Sequence, residues 1–290
     1  MPDRIMILTW GTRGDMQPML GLALGLKKAG RTVKIFATPP ATDLLIKNGV
    51  DTVAAKEDIG QFIEIMFGKA DPSDRSISGI YKLAKAAQTY FTSPEYVATQ
   101  TEDMKTAWAI AQDYKPDLII TPNVLYGYFV CIGEALQVPV VTYDLQINHP
   151  TSEYPIFSAE VNANPSCLWG CLGFNKYDMQ YFIKSMVYKR QEKPKFDLIR
   201  GIVGLPIATY SDGSPFKVWP HDLPQFCAVS PSLCPPPTDW PSTKIMGGWW
   251  FHAEATTYKP PAEVSRPVSL VRPLARPIPA ALPACLALSY

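Results

Sequence analysis

The sequence predicts an α/β fold, a Rossmann-like doubly wound parallel sheet, on two observations. Short, continuously apolar runs of strand length recur between Arg4 and Tyr143. Between them, apolar residues return at helical spacing. A strand that is apolar on both faces belongs inside a parallel sheet, and strand–helix–strand alternation is the rhythm of its crossovers.

The elements follow in order. Arg4 to Trp10 is an apolar run, read as a buried strand, and GTRGDMQP follows it as a turn. From Pro18 to Ala29, Met19, Leu22, Ala23, Leu26 and Ala29 recur at helical spacing, with Pro18 suited to the first turn and Gly30 to the stop. Val33 to Ala37 is a second strand, Ala41 to Asn48 a helix stopped by Gly49, and Asp51 to Ala55 a weaker third strand. One helical stretch is expected from Ile59 to Tyr114. Leu118 to Thr121 is then a strand, Leu125 to Leu136 a helix and Val138 to Tyr143 a strand. Beyond it, Asp144 to Ser166 reads as a polar-aromatic loop and Asn175 to Ile199 as a helix. Phe226 to Val229 and Lys244 to Gly247 are candidate strands in a Pro-rich region.

The tail changes character. From Val264 it is built mainly of Pro, Ala, Leu, Val, Ser and Arg, with prolines at 267, 273, 277, 279 and 283. That spacing forbids a regular helix or a central strand, and the composition is not expected to pack. The domain reading is therefore one Rossmann-like domain over residues 1–255, with a linker and disordered tail over 256–290.

Bulk properties narrow the function classes. Of 290 residues, 47% are hydrophobic and 18% charged, enough apolar material for a sizeable core. A net charge of +1 with no clustered basic face argues against a nucleic-acid partner. The six cysteines are irregularly spaced; Cys167 and Cys171 have no second pair at zinc-site spacing, so no metal is expected and the thiols read as idle ones in a reducing compartment. The N-terminus enters a strand directly, without a signal-peptide pattern, and no uncharged apolar run is long enough to span a bilayer. A cytoplasmic location is expected, with peripheral membrane contact left open.

The loop after the first strand is the leading site candidate, because ligands of parallel α/β sheets gather beyond the carboxyl ends of the strands. Gly11, Thr12, Arg13, Gly14 and Asp15 lie there. The glycines permit a tight turn, and Asp15 stands near the start of the next helix, where a carboxylate is stabilised. A catalytic Asp15 and a capping Asp15 both fit this placement. The loop is neither G-x-G-x-x-G nor a Walker A, so it gives no sign of a bound nucleotide cofactor, and a nucleotide-dependent oxidoreductase is disfavoured. Asp144 and Gln146, at a strand end, suit either hydrogen bonding to a ligand or capping of the loop, and His149 follows in the same loop. His221 and His252 are read as surface groups. Trp240, Trp249, Trp250 and Phe251 read as packing rather than a sugar platform.

GTRGDMQPMLGLALGLKKAGRTVKIFAT (residues 11–38) resembles the opening of the glycosyltransferase family 28 N-terminal domain, as in sterol 3-beta-glucosyltransferases and bacterial macrocycle glycosyltransferases. Met16 stands where that pattern has Val, and Arg31 where it has His. KPDLIITPNVLYGYFVCIGEALQVPVV, DLQINHPTSEYP and LPQFCAVSPSLCPPPTDWPSTKIMGGWWF resemble later passages of the same family in the same order, so the match runs from about Arg4 to about Pro261. The resemblance implies the N-terminal half of a GT-B glycosyltransferase, with the acceptor on this side and a UDP-sugar on a second domain. It gives Asp15 the role of general base in an inverting, metal-free transfer of a sugar, UDP-glucose being the implied donor, to a hydroxyl of a sterol, lipid or other hydrophobic acceptor. Thr12 and Arg13 would shape the loop, and Asp144, Gln146 and His149 would line the acceptor cleft.

After Tyr258–Pro261 the family pattern continues into F-G-S and later H-G-G-x-G-T. Here neither follows, and the three histidines precede Pro, Asp and Ala. The expectation is a chain that stops before its donor-binding domain, through a shifted frame or exon boundary near Ala262, and that is inactive unless paired with a donor domain. The alternative is a non-catalytic acceptor-binding module or a pseudogene fragment.

Overall fold

Ile5 and Ile7 face one layer of helices and Met6 and Leu8 face another, all of them buried. That is why the first apolar run has no polar alternation: both sides of its strand are covered. The computed structural model describes residues 2–69, 82, 85–86, 89–122, 129–149, 151–153, 193–206 and 223–251. The readings at 154–192 (including Cys167 and Cys171), His221, His252 and the tail with Cys285 lie outside the described residues.

Seven strands form one sheet: β1 (Arg4–Leu8), β2 (Thr32–Ala37), β3 (Asp51–Ala54), β4 (Leu118–Pro122), β5 (Val140–Asp144), β6 (Gln225–Cys227) and β7 (Lys244–Met246). Their order is β3-β2-β1-β4-β5-β6-β7, and every neighbouring pair is parallel. The helices described are α1 (Arg13–Lys28), α2 (Thr42–Lys47), α3 (Ile59–Lys69), α4 (Pro94–Tyr114), α5 (Val130–Leu136) and α6 (Lys193–Ile202). On one face, Met16, Met19, Leu20 and Ala23 of α1 and Leu45 of α2 pack on Ile5, Ile7, Ile35 and Ile120. On the other, Met104, Ala107 and Ala111 of α4, Ile132 of α5 and Phe196 and Ile199 of α6 pack on Met6, Leu8, Phe36 and Ile119. This is the doubly wound α/β fold the alternation predicts. The chain winds outward from β1 through β2 to β3, then crosses to β4 and winds the other way. The switch point is thus the crevice between the carboxyl ends of β1 and β4.

Several boundaries differ from expectation. The first helix begins at Arg13, five residues before Pro18, and Pro18 sits inside it. A capping box at Thr12 starts the helix early, and Pro18 merely forgoes the bond its N–H would make to residue 14. The single helical stretch from Ile59 to Tyr114 is divided. Ser93, extended at φ −65° and ψ 143°, accepts from the Tyr96 N–H at 3.2 Å, and Pro94 opens α4. The expected start of the next helix, Leu125, lies outside the described residues, and α5 runs from Val130 with Phe129 at its N-cap.

Close packing of α5 on β5 depends on Gly133. A Cβ there would fall inside contact distance of Val140 Cγ2 and 3.3 Å from the Val138 carbonyl. Gly133→Ala is expected to destabilise by about 1–3 kcal/mol, the usual cost of overpacking. Adding Val140→Ala should recover part of that loss in urea denaturation, a non-additivity that strictly independent sites would not show.

Candidate active site

Thr12 caps α1, with its side chain accepting from the Gly14 N–H at 3.3 Å. Asp15, three residues on, reaches back: its Oδ2 accepts from the Thr12 N–H at 2.7 Å and from the Thr12 hydroxyl at 3.2 Å. The carboxylate is therefore folded over the turn between β1 and α1, at the switch-point end of the sheet. Burial raises the Asp15 pKa above the ordinary carboxylate value, and the hydrogen bonds from Thr12 oppose this without cancelling it. The result is a carboxyl that is more basic than usual yet held in one orientation, which suits a proton acceptor.

Gly11 makes the close approach possible. Its φ is +134°, and a Cβ on it would intrude on the Oδ2, Cγ and Cβ of Asp15, the last at 2.8 Å. Its peptide is clamped from the next strand. Thr38, fully buried just past β2, accepts from the Gly11 N–H at 3.0 Å and donates to the Gly11 carbonyl at 2.9 Å. The base of the turn is tied to β5 through Thr9, whose hydroxyl bonds the Tyr143 hydroxyl at 2.7 Å. Tyr143 is buried beneath the site. Burial, together with the neighbouring carboxylates Asp15 and Asp144, pushes its phenol up, so it stays neutral and serves as a hydrogen-bonding group. Trp250 covers it at 6.0 Å between ring centroids.

The structure places the other sequence-derived candidates as follows. Gly14 and Arg13 are exposed in the first turn of α1. Asp144 ends β5 and is buried; the Gln225 side-chain amide donates to its Oδ2, and Asn148 Nδ2 lies 3.5 Å from its Oδ1. Those bonds fasten β5 to β6 and to the loop that follows β5. Gln146 has an exposed side chain, and its carbonyl accepts from Cys227 Sγ at 3.5 Å. His149 stands half-buried and edge-on to Trp240 at 5.9 Å. Gly11, Thr12 and Asp15 thus form one close-packed turn, and the carboxylates of Asp15 and Asp144 both lie near enough to Tyr143 to raise its phenol. The aromatic quartet separates: Trp240 meets His149, Trp250 joins the core beside α1, and Trp249 and Phe251 touch each other at the surface.

Residues that sequence reasoning passed over are Thr38, Thr9 and Tyr143. Nothing local marks them, because their partners are 27 and 134 positions away. Also unread was Asp239, which accepts from Thr151 Oγ1 at 2.6 Å, Ser152 N at 2.7 Å and Ser152 Oγ at 2.9 Å. These bonds hold its carboxyl below the ordinary value against a desolvation penalty, and they pin the loop carrying His149. Asp239→Asn is expected to speed proteolytic cleavage within residues 145–153 while leaving overall stability within about 1 kcal/mol, as befits an exposed clamp. An unchanged digestion pattern would remove this role.

Among the described residues no group of His, Cys, Asp and Glu is arranged to hold a metal ion. No helix among them is long and apolar enough to cross a membrane.

Comparison with known proteins adds the family. The glycosyltransferase family 28 N-terminal domain matches residues 5–166, more than half of the chain. The chain is similar to the sterol 3-beta-glucosyltransferase of Aspergillus fumigatus, 27% identical over 263 residues that make up 90% of this chain and 17% of that protein. It is likewise similar to the sterol 3-beta-glucosyltransferase of Saccharomyces cerevisiae, 26% identical over 273 residues, 92% of this chain and 20% of that one. The chain therefore spans a fifth or less of the length of these relatives. Among solved structures it is similar in fold to CalG4, the calicheamicin glycosyltransferase, with a TM-score of 0.50 and 15% identity across 85% of this chain and 53% of that one.

Proposed function

The chain belongs to glycosyltransferase family 28 through its N-terminal domain, and on that premise we propose that it is the acceptor side of a UDP-sugar-dependent hexosyl transfer with Asp15 as the general base. The observation that carries this reading is the geometry of Asp15: a half-buried, more basic carboxylate, held over a turn at the switch point of a parallel sheet. Both donations from Thr12 land on Oδ2, so Oδ1 is the oxygen assigned to the incoming hydroxyl.

In this mechanism the acceptor hydroxyl gives its proton to Asp15 as its oxygen attacks the anomeric carbon of the sugar. The new carbon–oxygen bond forms on the face opposite the leaving group, and the bond to UDP breaks with its electron pair leaving on the diphosphate. The products are an inverted glycoside, UDP and a protonated Asp15, which returns its proton to solvent. No metal has a role, and Tyr143 and Thr9 keep the floor of the site neutral and fixed. The relatives' names specify a sterol 3β-hydroxyl and glucose; for this chain the proposed acceptor is a sterol or similar hydrophobic alcohol, reached in the cytoplasm or at a membrane surface.

Magnitudes divide the labour. General-base assistance contributes about 10²–10⁴-fold. Holding two reactants in line contributes effective molarities of about 10⁵–10⁸ M. The larger share belongs to whatever holds the donor, which this reading assigns to a separate donor-binding domain.

The test incubates the purified chain with UDP-[14C]glucose and a 3β-hydroxysterol in vesicles, with and without the recombinant donor-binding half of the Aspergillus fumigatus relative. Sterol binding by the chain, with label incorporated mainly when the second half is added, is expected. Absence of sterol binding would overturn the acceptor-side assignment. Full transfer by the chain alone would overturn the division of labour, and binding that never leads to transfer would favour a non-catalytic acceptor module.

A further inference from the structure

We propose that Thr38 is a positioning residue for Asp15, acting through the Gly11 peptide. The inference rests on the reading of Asp15 as the base, and it adds a residue that lies outside the G-T-R-G-D turn and is fully buried.

One hydroxyl satisfies both polar groups of one glycine. Thr38 Oγ1 accepts from the Gly11 N–H at 3.0 Å and donates to the Gly11 carbonyl at 2.9 Å, with Thr38 fully buried. Few side chains can do this. The group must be small, and it must donate and accept from one atom, which leaves serine and threonine. β2 delivers it there because the β1–β2 ladder continues past both strands: the Thr9 N–H donates to the Phe36 carbonyl at 2.9 Å, so the residues following β1 and β2 stay side by side.

The clamp matters because Gly11 is where a small rotation would be felt. Its φ of +134° is accessible to glycine among many alternatives, so its own torsions do not fix the turn. The planar peptide that carries the Gly11 carbonyl also carries the Thr12 N–H that donates to Asp15 Oδ2 at 2.7 Å. Holding Gly11 at its N–H and its C=O fixes the two peptide planes on either side of its Cα, and so aims the Thr12 N–H and, through it, the carboxylate. Without the Thr38 hydroxyl, two buried backbone groups lose their partner and the turn relaxes to find others. The Thr12 donation weakens, and the charged form of Asp15 loses a bond that favours it.

The experiment uses the full chain with Thr38→Val, Thr38→Ser and Asp15→Asn. The first readout is independent of catalysis: amide hydrogen exchange at Gly11 and Thr12, and 13C titration of the Asp15 carboxyl. Thr38→Val is expected to speed exchange at both amides at least tenfold and to move the Asp15 midpoint upward, with exchange at Met6 and Ile35 in the sheet unchanged. Thr38→Ser should keep the wild-type midpoint and slow exchange. The second readout is transfer with the donor half supplied, where Thr38→Val should lower kcat by roughly 10²-fold, as misplacement of a catalytic group does, without raising KM for the sterol, and Thr38→Ser should restore it. Should the valine variant not fold, Thr38→Cys reads the same contact, since a thiol is a weak donor and acceptor. An unmoved Asp15 midpoint together with unchanged Gly11 and Thr12 exchange overturns the proposal. The base assignment fails separately, if Asp15→Asn leaves transfer intact.

Discussion

Replacing Asp15 by asparagine is expected to lower sugar transfer by about 10²–10⁴-fold while leaving the fold at least as stable at neutral pH. The two halves of that expectation have one cause. Burial disfavours the ionised carboxylate, and the Thr12 bonds do not fully compensate, so the folded-state pKa lies above its unfolded value. Between those two values the native state binds more protons than the unfolded one, and stability falls as pH rises through that window. Asparagine removes the charge and the slope, and its amide oxygen still accepts from the Thr12 N–H. It has no basicity to offer a hydroxyl. The wild-type rate should rise with pH along a limb centred above the ordinary aspartate value, set by the same group. Urea denaturation of both proteins at pH 4 and pH 7, alongside initial transfer rates, checks both claims. A variant that lost KM but kept kcat would make Asp15 a binding group instead of a base.

The fold was legible because its signal is local. Ile5 to Leu8 is apolar at every position, Leu118 to Ile120 likewise, and Val33 to Ala37 is interrupted only by Lys34; such runs belong to strands covered on both faces. The position of Asp15 was legible too, as a carboxylate at the start of a helix. Its helix starts at Arg13, before Pro18, because Thr12 and Asp15 form a capping box, and their T-x-x-D spacing resembles the sequence signature of one. What the sequence withheld are contacts between distant residues. Asp144 at a strand end is joined to Gln225, 81 positions away, a partner that no local pattern reveals. Thr38 follows an ordinary strand, and its bond to Gly11 exists only once β1 and β2 lie side by side.

Gly11→Ala is expected to cost about 1–3 kcal/mol of stability and to abolish most transfer, whereas Gly14→Ala, three residues along the same motif, should be neutral or mildly stabilising. Both are glycines of one turn, and sequence alone treats them alike. At Gly11 a methyl group meets two obstacles. The backbone stands at φ +134°, which an L side chain rarely adopts, and the added carbon would sit against the Asp15 carboxylate. Relieving either one rotates the peptide that Thr38 clamps or drives Asp15 off the Thr12 N–H. At Gly14 the nearest atom to a new Cβ is Thr12 Oγ1 at 3.6 Å, an ordinary contact, and alanine is the better helix former by about 0.8–1.0 kcal/mol in a helix interior. Denaturation midpoints and transfer rates for the two variants separate a loop that needs glycine for flexibility from one that needs it for room. A general requirement for flexibility would penalise both. A requirement for room beside the carboxylate penalises Gly11 alone, and equal tolerance at the two positions would mean that Asp15 does not hold the approach to Gly11 on which its proposed role depends.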